Sequence, residues 1–168
     1  MPQLSQAGAG ERPFMMLEGL HEIFNGKYSH ILIIGIGNYL RSDDGAGPRI
    51  VEKLTSSEKV RLLNTETNIE RYIEPIQNSP ADVLLFIDCV HFGKEPGYTE
   101  LIPIETITDH TFHSHNISMN RIREFFTVPA FVLGIEPGSL KVGEKLTTAV
   151  KQKVDDIILL LNALIAVP

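Results

Sequence analysis

His30-Ile31-Leu32-Ile33-Ile34-Gly35-Ile36-Gly37 is a run of apolar, mostly β-branched side chains closed by glycines. A run this short, with no polar residue alternating through it, reads as a strand buried on both faces. Downstream, after the loop 38–44, Ile50, Val51 and Leu54 mark a helix, and Pro48 falls early in it, where a missing N–H is harmless. Upstream, Phe14, Leu17, Leu20, His21 and Phe24 recur at spacings of three and four, which predicts an N-terminal helix over 12–26 that Gly26 stops. The small, polar residues 1–11 are expected to be disordered.

The strand-then-helix pattern repeats. Residues 60–64 read as extended, 69–76 as helical until Pro75 disturbs the turn, and 82–90 as a second fully apolar strand. Residues 98–104 alternate weakly and end near Pro103, as an edge strand does. Met119, Ile122, Phe125 and Phe126 have helical spacing, and 131–135 is the last strand. From Leu146 onward, Val150, Val154, Ile157, Ile158, Leu161, Leu164 and Ile165 form the clearest helical stripe in the chain. Strands alternating with helices specify an α/β fold, here a three-layer α/β/α sandwich around a mostly parallel twisted sheet of about five strands. No linker interrupts the pattern, so 1–168 is expected to be a single domain.

Composition narrows the function. With 168 residues, 43% hydrophobic, the chain is long enough to bury its own core. Its 21 acidic and 15 basic side chains leave a net charge of -6, the wrong sign for tracking nucleic-acid phosphates. A single cysteine, Cys89, precludes an internal disulfide or a cysteine-only metal site and fits a reducing compartment, so a cytoplasmic location is expected. No apolar run approaches the length of about 18 residues that a membrane span requires.

Ligands of open α/β sheets collect beyond the carboxyl ends of the strands. Four polar stretches stand there or beside a predicted helix start: 37–47, Asp88-Cys89, 113–118 and Glu136-Pro137-Gly138. Gly35-x-Gly37 suggests a dinucleotide loop, but Leu40 stands where a third glycine belongs, and the acids Asp43 and Asp44 would repel a pyrophosphate. Asp44, Asp88 and His115 together suit a divalent metal with open positions, two carboxylates and an imidazole being hard-to-borderline ligands. Each has a plainer reading. Asp44 caps the next helix, Asp88 binds loop amides, or His115 lies in solvent, and spacing alone favours these. The position of Asp88 at the end of an apolar strand tilts it back toward a paired charge. Cys89 reads as a small core residue rather than a nucleophile. His91, His110 and His113 read as solvated; His113, two residues from His115, is held open as a further member of the metal site.

The stretch Gly35-Ile36-Gly37-Asn38-Tyr39-Leu40-Arg41-Ser42-Asp43-Asp44-Gly45-Ala46-Gly47-Pro48 resembles the signature of the nickel-iron hydrogenase maturation endopeptidases. The resemblance continues in order through Ile87-Asp88-Cys89, Ser114-His115-Asn116-Ile117-Ser118 and Gly134-Ile135-Glu136-Pro137. It implies a three-layer α/β protein that cleaves the C-terminal extension from a hydrogenase large-subunit precursor after nickel insertion. The family's metal-contacting residues fall on Asp44, Asp88 and His115. Two carboxylates and an imidazole offer no thiolate to retain nickel, so the metal is expected to arrive with the precursor and act as a recognition element. No nucleophile is assigned. The expected partner is that precursor, with no nucleic acid and no membrane insertion, and the chain is expected to be a monomer. The alternatives are a metal-dependent small-molecule hydrolase and a nonenzymatic nickel-binding module. Two departures stand out: Asn64-Thr65-Glu66-Thr67 replaces a common Asp-Gly-Gly-Thr turn, and Cys89 replaces a common alanine.

Overall fold

The computed structural model describes residues 12–107 and 118–168. The expected disordered start, 1–11, and the stretch 108–117 with His110, His113 and His115 lie outside the described residues. The elements run α1 (Arg12–Phe24), β1 (Ile31–Ile36), α2 (Ala46–Lys53), β2 (Val60–Glu66), α3 (Ile73–Gln77), β3 (Val83–Cys89), β4 (Thr99–Pro103), α4 (Met119–Ile122), β5 (Ala130–Ile135) and α5 (Thr148–Ile165). The five strands form one sheet in the order β2-β1-β3-β5-β4. All neighbouring pairs are parallel except β4 with β5, so the antiparallel strand is an edge, as the weak alternation and Pro103 suggest.

Every residue of β1 and β3 is buried because both faces of the sheet are covered. Successive side chains point to opposite faces. Ile31, Ile33, Leu85 and Ile87 therefore join Leu133 and Ile135 against Leu20, Ile50, Val150, Val154 and Leu161 from α1, α2 and α5. On the other face, Leu32, Ile34, Ile36, Leu84 and Phe86 meet Ile69, Ile76, Ile104, Met119 and Ile122. This is the expected three-layer sandwich.

Three local readings change. Residues Ile69–Tyr72 form a 3-10 turn before α3, and Pro75 sits inside α3 without breaking it, because it lies in the first turn where an N–H has no helical partner. The helix at Met119 makes one α turn and tightens into a 3-10 turn, Arg123–Phe125. In β2 the register slips between Gly35 and Ile36, leaving Thr65 as the extra residue of a β-bulge and taking the strand on to Glu66.

The strand order reverses between β1 and β3, since β1 is flanked by β2 on one side and β3 on the other. That switch point opens a crevice at their carboxyl ends. Gly47, in the first turn of α2, lies directly against it: a Cβ there would stand 2.3 Å from the Ile87 carbonyl oxygen and 2.5 Å from that of Ile36. Only glycine lets α2 rest on the two strand ends. Gly47→Ala is expected to lower unfolding free energy by about 2–3 kcal/mol, the cost of overpacking against backbone that cannot yield. Urea unfolding measures this, and an unchanged midpoint would contradict the close approach.

Candidate functional site

The turn that follows β1 carries two adjacent acids, and the fold gives them different tasks. Gly37 leaves the strand at φ +147°, and a Cβ on it would come within 1.8 Å of the Asp44 carbonyl oxygen, so the chain can double back only at a glycine. Ser42 is held at φ +51°, an uncommon conformation for a residue with a side chain, by its N–H to Gly143 O (2.6 Å) and its hydroxyl to Lys145 O (2.8 Å). Ser42–Gly45 is then a 3-10 turn leading into α2.

Asp43 is fully buried and turned away from the crevice. Its Oδ2 accepts from the backbone N–H of Gly138 (2.8 Å) and Ser139 (2.9 Å) and from the Thr147 hydroxyl (2.8 Å). Its Oδ1 accepts from Thr147 N (2.7 Å), immediately before α5 begins. The first acid of the pair is thus a clamp between the turn after β1 and the segment that joins β5 to α5. Arg49 supports the same junction: its Nη1 donates to Gly45 O (3.2 Å), its Nη2 to Glu144 O, and its guanidinium lies over the Tyr39 ring. Tyr39 in turn donates to Glu52 and accepts from Asn64 (2.8 Å), and burial together with the bond to Glu52 pushes its phenol up to about 12.

Asp44 is 1% exposed, and its Oδ2 accepts from Asn38 N at 3.2 Å. The cap positions of the 3-10 turn and of α2 are Arg41 and Gly45, and neither side chain makes a capping hydrogen bond. Asp88, next to last in β3, has no exposed surface, and its Oδ1 accepts from Cys89 N (2.8 Å), an amide of the strand itself. The two carboxylates come from the turn after β1 and from the end of its neighbour β3, beyond the switch point. Both lie near enough to Cys89 to oppose its ionisation. His115 lies outside the described residues, as do His110 and His113. Among the described residues no group of three His, Cys, Asp or Glu side chains is arranged to hold a metal ion.

Cys89 is buried, and its Sγ donates to Asp43 O at 2.8 Å. Burial pushes the thiol well above its ordinary value of 9.0, and the charges of Asp88, Asp44, Asp43 and Glu136 add to the rise. A neutral, packed thiol is a poor nucleophile, in agreement with the sequence reading. Glu136 has a role the sequence did not disclose. It is 5% exposed, accepts from the N–H groups of Phe92 and Lys94 (3.4 Å), and meets His91 Nδ1 at 3.3 Å. It therefore braces the loop that follows Asp88, and its position after β5 was the one available signal.

The family model described as hydrogenase maturation protease matches residues 48–163, more than half of the chain. The chain belongs to the hydrogenase maturation protease family. It is similar to the hydrogenase 3 maturation protease of Escherichia coli K12, 26% identical over 133 residues that make up 75% of this chain and 85% of that protein. The crystal structure of the [NiFe] hydrogenase maturation protease HycI from Thermococcus kodakarensis KOD1 superposes with a TM-score of 0.76, at 26% identity, over 88% of this chain and 98% of that one. The hydrogenase expression/formation protein HupM of Azotobacter chroococcum is 36% identical over 81 residues, 46% of this chain and 38% of that protein. Membership makes the chain a hydrolase, an endopeptidase, and disfavours the small-molecule hydrolase and the nonenzymatic binding module. No described helix is long and apolar enough to cross a membrane.

Two expectations follow. Asp43→Ala removes the acceptor for three backbone amides and is expected to destabilise the fold by about 3 kcal/mol or more; a chemical denaturation midpoint equal to wild type would contradict the clamp. For Cys89, the folded state holds the proton that the unfolded state releases near pH 9.0. The thiol's contribution to stability is therefore complete below that pH and declines as pH rises above it. Melting temperatures of wild type and Cys89→Ala are expected to converge between pH 9 and 11, and parallel profiles would refute the assignment.

Proposed function

We propose that this endopeptidase removes the C-terminal extension of a nickel-iron hydrogenase large-subunit precursor after nickel has been inserted, and that Asp44, Asp88 and His115 complete the coordination of nickel carried by the precursor. The observation that supports this best is that two buried carboxylates, Asp44 in the turn after β1 and Asp88 near the end of β3, both lie close to Cys89 beyond the switch point. Carboxylates are donors suited to a divalent cation, and both of these lie near Cys89 at the carboxyl end of the sheet. His115 enters on the motif resemblance.

The donor set supports nickel as part of the substrate. Oxygen and imidazole donors hold nickel less firmly than thiolates do, so a precursor that retains the ion through its own sulfur ligands presents it to the protease and keeps it. Recognition then requires metal and peptide together. The contacts on each side add to the other, which makes the nickel a checkpoint. A single cysteine, which can form no disulfide within the chain, supports placing this activity in the cytoplasm.

Asp44→Ala, Asp88→Ala and His115→Ala are each expected to reduce processing by about 100-fold or more while the domain stays folded, since the crevice lies at the end of the sheet rather than within it. Mass measurement of the precursor and circular dichroism of each variant check this. If any two variants cut at a near-normal rate, the ligand set is wrong. The purified chain is also expected to leave a nickel-free precursor intact and to cut the loaded one; equal cleavage of both would overturn recognition through the metal.

A further inference from the structure

The turn before the acids and the loop before α5 are zipped together. Arg41 and Gly143 form a parallel bridge, Gly143 N donates to Leu40 O (2.9 Å), and Ser42 N returns the bond to Gly143 O (2.6 Å). This register sets Leu40 beside Val142, and both are turned outward, at 58% and 92% exposure. Leu159 and Val167 are also open to water, but only Leu40 and Val142 are set side by side by a bridge between their segments, which makes them an apolar step. Beside the step is a hollow of about 410 Å³ whose lining includes Ser42, Lys141, Glu144 and Lys145. Arg41 stands at its edge, anchored through Nε to Leu140 O (3.2 Å). At the surface of this corner three cations, Arg41, Lys141 and Lys145, face one acid, Glu144, while Asp43, which bonds the lining residue Ser139, is buried beneath it with its charge taken up by four hydrogen bonds.

We propose that this ribbon, Leu40 and Val142 with Arg41, Lys141 and Lys145, is the docking surface for the protein substrate, and that it takes an extended segment bearing an aliphatic side chain flanked by carboxylates. The proposal rests on the protease reading and names the substrate chemistry that reading leaves open. Two features select this occupant. The first is charge complementarity, since an acidic segment is repelled by most of the surface and attracted here. The second is continuity: Ser42, the first residue of the acid turn, and Ser139, which bonds Asp43, both line the hollow, so a chain seated on the ribbon lies against the turn that carries Asp44. The surface is preformed, because Asp43 and Arg49 pin both of its halves. Docking therefore orders little of the protease.

The test is steady-state cleavage of the nickel-loaded precursor by wild type, by Val142→Asp, and by the double variant Lys141→Glu with Lys145→Glu, with direct binding of the precursor measured in parallel. All three substituted side chains are exposed, so the variants are expected to fold as wild type, which circular dichroism checks. KM is expected to rise about tenfold in each variant with kcat within twofold, as loss of uniform binding requires. The rise of the wild-type KM with added salt is expected to flatten in the double variant. Unchanged KM in both variants, with the precursor still cut, overturns the docking surface and leaves the protease reading intact. A precursor that binds in a Val142-dependent way and is never cut does the reverse. A concentration-dependent dimer that Val142→Asp disperses would assign the ribbon to a second copy of this chain and overturn the proposal.

Discussion

The carboxylate of Asp43 accepts four hydrogen bonds from Gly138, Ser139 and Thr147, residues about a hundred positions further along the chain. Neither partner can do without the other. A buried carboxylate without donors is strongly unfavourable, and the half-buried amides that serve it would lose the acceptor that orders their segment. The pairing therefore fixes the entry to α5 and the turn after β1 as one unit. Ser42 keeps its left-handed conformation because its own bonds to Gly143 and Lys145 run to the same segment. Asp44, one residue later in a 3-10 turn, is carried into place by that unit and by its own bond from Asn38 N.

The close approach of backbone to backbone explains why the site can be so compact. At Gly37 and Gly47 the chain passes within distances that no β-carbon tolerates, Asp44 O on one side and the Ile36 and Ile87 carbonyls on the other. These contacts bring the acid turn down onto the ends of β1 and β3, where Asp88 emerges from a strand with no exposed residue. The thiol of Cys89 fills the remaining space and donates to Asp43 O, so even the residue that looks most reactive serves to hold the turn.

Much of this was legible in the sequence, for reasons that can be stated residue by residue. The run 30–37 and the run 82–90 are too apolar and too short to be anything but buried strands, and carboxylates placed just beyond such strands mark the functional edge of an α/β sheet. The division of labour between Asp43 and Asp44 was not legible. Adjacent acids in a turn are chemically equivalent until the backbone decides which one faces the core, and the donors that claim Asp43 are invisible to any local reading. Glu136 escaped for the same reason, its partners lying on the loop 91–94 across the sheet edge. The 3-10 turns at 69–72 and 123–125 escaped because apolar spacing of three or four fits a tight turn as well as an α-helix.

The departure at Asn64-Thr65-Glu66-Thr67 takes on a physical sense from the same constraint. Glu66 adopts φ +48°, a conformation that suits glycine, at the end of a bulge in which Thr65 is the unpaired residue. Its side chain is exposed, whereas its carbonyl accepts from Gly37 N (3.0 Å) at the point where the acid turn begins. The Thr65 hydroxyl donates to Gly35 O (3.1 Å), and the Asn64 amide reaches the Tyr39 hydroxyl, which is bound to Glu52 on α2. Three successive residues of this turn thus brace the loop of β1 from the side opposite the Asp43 clamp. Two of those braces, at Asn64 and Thr65, are neutral, and the third uses a backbone carbonyl. The turn after β2 therefore supports Asp44 by backbone geometry and neutral hydrogen bonds, and adds no buried carboxylate to a corner that already holds Asp43, Asp44 and Asp88.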